Sequence, residues 1–322
     1  PEIEVISSTI NDEDINSVTV RVKATDKYFV PNSVFNTDKV KVTLDGEYPT
    51  EEQGVSISFG TEEELLGTRN GESEQYGIVQ DITITGLADK LDKRIQLRIE
   101  TGAIADLSGN VNATKKITLF NFLKSANTET TATSAFLGIT DTSWNAIPRH
   151  NIESVQFLNT TASAPSQVPS VQNGVFDVSA EQDASIIAWY TGTGPYQVYI
   201  ASNNPIYANP NSSYLFSYIG AGTSCTSTSI FSNLNLLNTR FTTDMSYMFN
   251  NCGAAKMTSL DLGAFDISRV ENMKGMFQGC GSAAMTTLTL GDNFDTTNVQ
   301  NMSEMFQNCG QTAMTSLDLG EK

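Results

Sequence analysis

Cysteine is the residue type in this sequence best suited to metal binding or nucleophilic chemistry. Cys252, Cys280 and Cys309 recur at intervals of 28 and 29 residues, and Cys225 precedes them. Structural zinc sites use cysteines that lie only a few residues apart, so this spacing does not predict a zinc site. The three spaced cysteines each lie on the apolar stripe of their segment. The pattern therefore predicts a column of buried, reduced thiols.

The other candidates for chemistry are His150, two acidic segments and Trp189. His150 is the single histidine and has no nucleophile near it in the sequence. Residues 11–14 (NDED) and 106–110 (DLSGN) could bind calcium, but they are predicted to lie at opposite ends of one domain, which favours solvated turns. Trp189 alternates within a predicted strand, which is typical of a core residue rather than a sugar-stacking platform. The sequence predicts no catalytic residue, cofactor or metal site, and a protein that is not an enzyme.

The composition and charge of the chain indicate a folded protein and exclude some classes of binding partner. The chain has 322 residues, of which 39% are hydrophobic and 17% charged, and its formal net charge is −17. This apolar content supports folded domains, and the length predicts two or three of them. Because no basic patch exists, nucleic acid and anionic lipid are poor partners. No apolar run approaches the ~20 residues of a membrane helix, so no membrane insertion is predicted.

The carboxyl-terminal part of the sequence consists of repeats. Three copies carry the matched segments DMSYMFNNC (244–252), NMKGMFQGC (272–280) and NMSEMFQNC (301–309), each followed by MTSLDLG or MTTLTLG. A weaker copy is expected before them, at 230–243. The L-x-x-L-x-L pattern predicts a strand, and apolar residues at i, i+3, i+4 and i+7 predict a short helix or helical turn. Stacked copies would form an α/β solenoid with a parallel sheet.

These motifs resemble those of a known family. The run M-S-x-M-F-x-x-C … L-T-S-L-D-L … F-D-T-S-x-V-x-N-M is similar to the BspA-type leucine-rich repeat of microbial surface proteins. Residues 176–216 resemble the sequence that precedes such arrays, so the resemblance covers residues 150–322. It implies a cell-surface or secreted protein with a role in adhesion. The implied partner is a host or partner-cell surface protein or glycan.

Residues 1–122 predict a separate β-domain. Clean alternation in SVTVRVKAT (17–25) and seven short strand-like segments predict a β-sandwich, with the acidic run at 62–64 as an exposed loop. The segment LRIETGAIADLSGNVNAT (97–114) resembles the last hairpin of bacterial immunoglobulin-like domains. That resemblance implies an immunoglobulin-like sandwich that acts as a spacer.

The predicted organisation is mainly β. Residues 1–122 form the sandwich, and the Thr/Ser/Ala-rich residues 123–146 form a linker. Residues 147–235 form a β-rich segment that caps the array, because terminal repeats need a cover. Residues 236–322 form about three leucine-rich repeats of 28–29 residues. The chain stops directly after a predicted strand, which favours a truncated array.

The predicted repeat strands place a candidate binding surface. Their leucines point into the coil, so the intervening side chains face outwards. The candidate ligand-facing residues form two rows: Ser259, Thr287 and Ser316, and Asp261, Thr289 and Asp318. The sequence favours a surface protein that mediates adhesion through this array. It leaves open a structural spacer, or a fibre or receptor-binding component of a virion (phage tail) or surface layer.

Overall fold

The chain folds into two compact units, Pro1–Phe120 and Asn121–Lys322. A computed structural model describes residues 1–11, 15–26, 35–69, 72–91, 93–106, 108–126, 128–140, 145–292 and 294–319. The described residues form β-strands and short 3-10 turns, with no α-helix among them. The prediction of a mainly β protein is therefore confirmed.

The described residues of the first unit form eight strands in two antiparallel sheets. The strands are β1 (Glu2–Ile10), β2 (Ser17–Thr25), β3 (Val40–Leu44), β4 (Ser56–Phe59), β5 (Glu63–Arg69), β6 (Glu72–Thr85), β7 (Ile95–Ile99) and β8 (Lys115–Thr118), with 3-10 turns at Thr37–Lys39 and Glu51–Gln53. One sheet has the order β1-β2-β6-β4, with β5 also paired to β6, and the other has the order β3-β7-β8. The alternation of β2 buries Val18, Val20 and Val22 completely.

The acidic run at 62–64 differs from the predicted loop. Glu63 and Glu64 begin strand β5, where they lie opposite Val79 and Ile78 of β6. Both glutamates are exposed, as predicted. An edge position on the sheet explains the difference, because a strand with solvated side chains lacks the apolar alternation that identifies strands in a sequence.

The second unit contains eleven strands among its described residues. These are β9 (Ala135–Thr140), β10 (Ala146–Pro148), β11 (Ile152–Leu158), β12 (Val175–Asp177), β13 (Ile187–Thr191), β14 (Tyr196–Ala201), β15 (Ile206–Tyr207), β16 (Phe231–Ser232), β17 (Leu237–Asn238), β18 (Ser259–Asp261) and β19 (Thr287–Thr289). The 3-10 turns lie at Arg149–Asn151, Val171–Asn173 and Leu234–Leu236. The largest sheet has the mixed order β12-β13-β14-β11-β16.

The segment predicted as a linker, 123–146, is instead part of the second unit. Leu123, Phe136 and Ile139 are completely buried in the same core as the repeats. Isolated bridges also join Leu123 to Ser179 and its neighbour Phe122 to Tyr207. The segment has few large apolar residues, but each described one, Leu123, Phe136, Leu137 and Ile139, lies in the core. Its average composition therefore resembles that of a linker.

The predicted helical stripe of each repeat forms a run of tight turns rather than a helix. Alternate residues donate locally, as Met248 N does to Met245 O (3.1 Å), while the residues between them donate to the next copy, as Phe249 N does to Met276 O (2.8 Å). Tyr247 and its equivalents have positive φ, which ends any helix. We call each run of turns a layer. The layers are 211–220, 244–253, 272–281 and 301–310.

The first layer, 211–220, extends the repeat beyond the weaker copy predicted at 230–243. Its sequence NSSYLFSYIG lacks the methionines and cysteine of the other layers, yet parallel bridges join Asn211, Asp244, Asn272 and Asn301 in register. Equivalent phenylalanines stack through all four layers. Their ring centroids are 5.5, 5.8 and 5.5 Å apart along the column Phe216, Phe249, Phe277 and Phe306. The layers therefore share one continuous apolar core.

Candidate functional site

Strands β18 and β19 carry four of the six candidate ligand-facing residues. They pair in parallel, with Ser259 opposite Thr287 and Asp261 opposite Thr289. Within β18, Leu260 lies between Ser259 and Asp261, is only 3% exposed and packs into the core. The four polar side chains are exposed. The two polar rows thus lie side by side on the surface at the spacing of paired strands.

The third copy does not extend these rows as a strand. Ser316 and Asp318 are exposed, but the described residues around them have no strand pairing. Leu317 is half-buried and Leu319 is 58% exposed, so the alternation that anchors β18 and β19 is weaker here. The strand-paired part of the two rows is therefore two strands wide.

Asp261 is held in place by its own turn. Its Oδ1 accepts a hydrogen bond from the backbone N–H of Gly263 at 2.8 Å. The equivalent glycine of the next copy, Gly291, has φ +78°, and a Cβ atom there would lie 2.5 Å from the Cα atom of Gly263. The glycine that follows each repeat strand thus permits the close approach of successive turns.

A polar cleft of about 390 Å³ opens beside strand β18. One wall comes from the segment 229–235 and the other from 259–265. The lining residues are Ser229, Phe231, Asn233, Leu234, Asn235, Ser259, Leu260, Asp261, Gly263, Ala264 and Phe265. Two candidate residues, Ser259 and Asp261, therefore belong to a concave site. Sequence reasoning missed the first wall, because the segment 229–235 has no side-chain pattern that points to binding.

The spaced cysteines form the predicted buried column. Cys252 and Cys280 are completely buried, Cys309 is half-buried, and all three are free thiols. Burial raises the pKa of Cys252 and Cys280 far above the ordinary range and that of Cys309 to about 11. Protonated thiols are poor nucleophiles and poor metal ligands. Among the described residues, no group of three or more metal-binding side chains occurs.

His150 and Trp189 have structural contacts. The Nδ1 atom of His150 lies 2.6 Å from the carbonyl oxygen of Ala132, and the His150 carbonyl accepts the N–H of Gly222 at 2.8 Å. Trp189 is 5% exposed and stacks on Tyr199 with a centroid separation of 5.3 Å, as a core residue should. The His150 contacts therefore join the segments at Ala132 and Gly222, and the Trp189 contact joins strands β13 and β14.

The acidic segments considered for calcium have different outcomes. Residues 12–14 of the first segment lie outside the described residues. In the second, Asp106 Oδ1 accepts the N–H groups of Ser108 and Asn110, both at 2.8 Å, and Oδ2 accepts the Asn110 amide at 2.7 Å. The hydrogen bond from the Asn110 side chain lowers the pKa of Asp106. This carboxylate therefore stabilises a turn.

Arg149, which sequence reasoning missed, closes the first layer. In the second layer, carbonyls such as those of Met248 and Asn250 accept N–H groups of the first layer at 2.8 Å. The equivalent carbonyls in the first layer are those of Leu215 and Ser217, and no earlier described layer supplies N–H groups to them. Nη1 of Arg149 donates to these two carbonyls instead, at 3.0 and 3.2 Å. Arg149 is 1% exposed, and no ion pair joins it to a described carboxylate.

Comparison with known proteins gives one match within the second unit. A family model described as "Mycoplasma protein of unknown function, DUF285" matches residues 222–317, which include the second, third and fourth layers. No curated protein and no solved structure matches the chain. Among the described residues, no helix is long and apolar enough to cross a membrane. The second, third and fourth layers and the cleft are thus similar in sequence to a family described as of unknown function.

Proposed function

We propose that the protein is a non-enzymatic, surface-exposed or secreted binding protein that mediates adhesion through its repeat array. In this proposal the first unit is an immunoglobulin-like sandwich that acts as a spacer. The second unit is a leucine-rich-repeat solenoid of the BspA type. The partner is a surface protein or glycan of a host or partner cell.

The observation that carries the proposal is the exposed polar surface on strands β18 and β19. Its residues project from a stacked array in which each layer donates hydrogen bonds to the next. A surface built this way is rigid, so a ligand loses little binding free energy to ordering the protein. Polar rows beside a cleft also provide the few placed polar groups that recognition sites use.

The chemistry of this surface supports weak, multivalent attachment. The rows hold hydroxyls and carboxylates, and no aromatic side chain lies in them to anchor a tight protein interface. Each contact should be weak, and several copies engaged together should bind strongly. Repeated display of shallow sites suits adhesion to a surface that carries many identical ligands.

The first unit supports a spacer role. Its two antiparallel sheets bury their own core, including Val20, Ile82 and Leu97. The carboxylate of Asp106, the best calcium candidate among its described residues, is already bound within a turn. A domain that folds around its own core can hold a binding array away from a surface without contributing chemistry.

The test is attachment of the whole chain to target cells after Asp261 and Asp318 are both replaced by lysine. Reversing two charges on the rows should reduce attachment at least tenfold. The matched control is Glu271→Lys combined with Glu304→Lys, which reverses two charges elsewhere in the array. Equal attachment of the Asp261/Asp318 variant and the unsubstituted protein would contradict the proposal. It would favour a spacer or fibre component instead.

A further inference from the structure

The cleft beside strand β18 contains unused hydrogen-bonding capacity. Oδ1 of Asp261 is bound to Gly263 N, but Oδ2 contacts no hydrogen-bond donor among the described residues. The Nδ2 atom of Asn233 donates to Phe157 O at 3.0 Å, which leaves its Oδ1 available to a ligand. The exposed amide of Asn235 makes no hydrogen bond to a described residue. Two amides and a carboxylate therefore line one small cavity, and each has at least one hydrogen-bonding atom that is not used by any described residue.

The floor of the same cleft is apolar and fixed. Phe231 is half-buried, and its ring packs edge-on against Phe216 (4.9 Å) and Phe249 (5.8 Å). Leu260 also lines the cleft and is 3% exposed. Both side chains belong to the core of the array, so this apolar surface does not have to reorganise when a ligand binds.

We propose that this cleft binds a neutral saccharide, an inference that rests on the proposed binding function and names its ligand class. A sugar ring presents hydroxyls at its edge and C–H groups on its face, which matches a lining that combines two amides and a carboxylate with the ring of Phe231. The volume of about 390 Å³ lies at the lower end of the range for small-molecule sites. The cleft is therefore suited to sugar rings rather than to a protein surface.

Charge selects among saccharides. The lining contains no lysine or arginine, and Asp261 contributes a negative charge to a chain whose net charge is −17. A sialic acid, uronic acid or sulfate group would bring a second negative charge without a cation to pair with. Neutral oligosaccharides should therefore bind, and their acidic counterparts should not.

The experiment applies the whole chain to immobilised neutral oligosaccharides, each beside its sialylated or sulfated counterpart, and then titrates the neutral sugars that retain it. We expect retention of neutral members only. Asp261→Asn, which keeps an acceptor for Gly263 N, should weaken binding of the retained sugar about tenfold. Ala264→Trp, at an exposed position in the wall, should fill the cleft and abolish binding. Glu271→Gln removes a charge elsewhere and should bind normally.

Three outcomes would overturn the inference. These are no retention of any sugar, retention of acidic or cationic sugars only, and sugar binding that Ala264→Trp leaves unchanged with an unaltered melting temperature. Loss of cell attachment in the Asp261/Asp318 lysine variant without any sugar binding would refute the saccharide site alone. Sugar binding without that loss of attachment would refute the proposed adhesion alone.

Discussion

Replacing Arg149 by methionine tests how the repeat array is closed at its first layer. The guanidinium donates through Nη1 to the carbonyls of Tyr214 (2.8 Å), Leu215 (3.0 Å) and Ser217 (3.2 Å). Among the described residues, no other donor reaches the last two carbonyls. Methionine keeps most of the side-chain volume and removes every donor. The variant therefore removes the hydrogen bonds and the buried charge while it keeps most of the packing.

Two terms of opposite sign set the change in unfolding free energy that Arg149→Met causes. Nη1 has two N–H groups, which these acceptors share, and a hydrogen bond from a buried charged donor stabilises the fold by up to about 3 kcal/mol, so the two N–H groups contribute about 6 kcal/mol together. Burial of the cation opposes them, because desolvation lowers the pKa of Arg149 from 12.5 to about 10, which corresponds to about 3 kcal/mol. The hydrogen bonds exceed the desolvation cost. We expect Arg149→Met to lower the free energy of unfolding of the second unit by about 3 kcal/mol.

Urea unfolding of the whole chain, followed by tyrosine and tryptophan fluorescence, measures this change. Lys256→Met is the matched control, because it removes an exposed cation from the same array and should change stability by less than about 0.5 kcal/mol. A loss below about 1 kcal/mol in Arg149→Met would refute the account, since orphaned buried carbonyls cost at least that much.

Two further predictions concern the cysteine column and the glycines of the array. Burial raises the pKa values of the three thiols. The stability that the protonated thiols contribute is therefore complete below the unfolded pKa near 9 and is lost as pH rises towards the folded values, about 11 for Cys309. Urea unfolding at pH 7.5 and pH 10 should show this loss, and replacing Cys252, Cys280 and Cys309 by alanine should reduce the pH dependence; an unchanged pH dependence would contradict the account. Gly291→Ala should destabilise the second unit by about 2–3 kcal/mol in thermal unfolding. The alanine would have to adopt positive φ, and its Cβ atom would also clash with the Cα atom of Gly263. Gly174→Ala has positive φ in open space and should cost only about 1 kcal/mol; equal costs would contradict the clash.

The surface rows were predictable from sequence because strand periodicity fixes side-chain direction. Leu260 and Leu288 alternate with polar residues, and the structure places both leucines inwards and their neighbours outwards. The helical prediction was wrong, because the apolar spacing i, i+3, i+4 and i+7 also fits successive tight turns. The residues that distinguish the two cases have positive φ. Glycine marks such positions at Gly275, Gly279 and the last residue of each layer, whereas Tyr214, Tyr247 and Glu304 have positive φ that their residue type does not reveal.

Features that join distant parts of the chain were not predictable. Arg149 reaches carbonyls more than 60 residues away, at Tyr214 and Leu215. The cleft likewise needs Asn233 and Asn235, which lie outside the repeat motif, to face Asp261. A single sequence carries periodic information about individual strands but little about which loops meet.

The stacked phenylalanines provide a test of whether the layers act as one cooperative array. Phe277 is completely buried, with stacked neighbours at 5.8 and 5.5 Å, whereas Phe306 is half-buried and stacks only on Phe277 among the described rings. Truncating a buried phenylalanine costs about 3–5 kcal/mol, and each stacked pair adds about 0.5–1.5 kcal/mol. Phe277→Ala should therefore lower the unfolding free energy by about 5 kcal/mol and Phe306→Ala by about half as much.

Because nearest-neighbour interfaces stabilise a repeat array, both substitutions should shift the same unfolding transition. Urea unfolding with separate fluorescence and circular dichroism probes measures that transition for each variant. Equal costs for Phe277→Ala and Phe306→Ala would show that the stack does not couple the layers. In that case the rigidity of the polar rows on β18 and β19 would have to come from the backbone hydrogen bonds between layers alone.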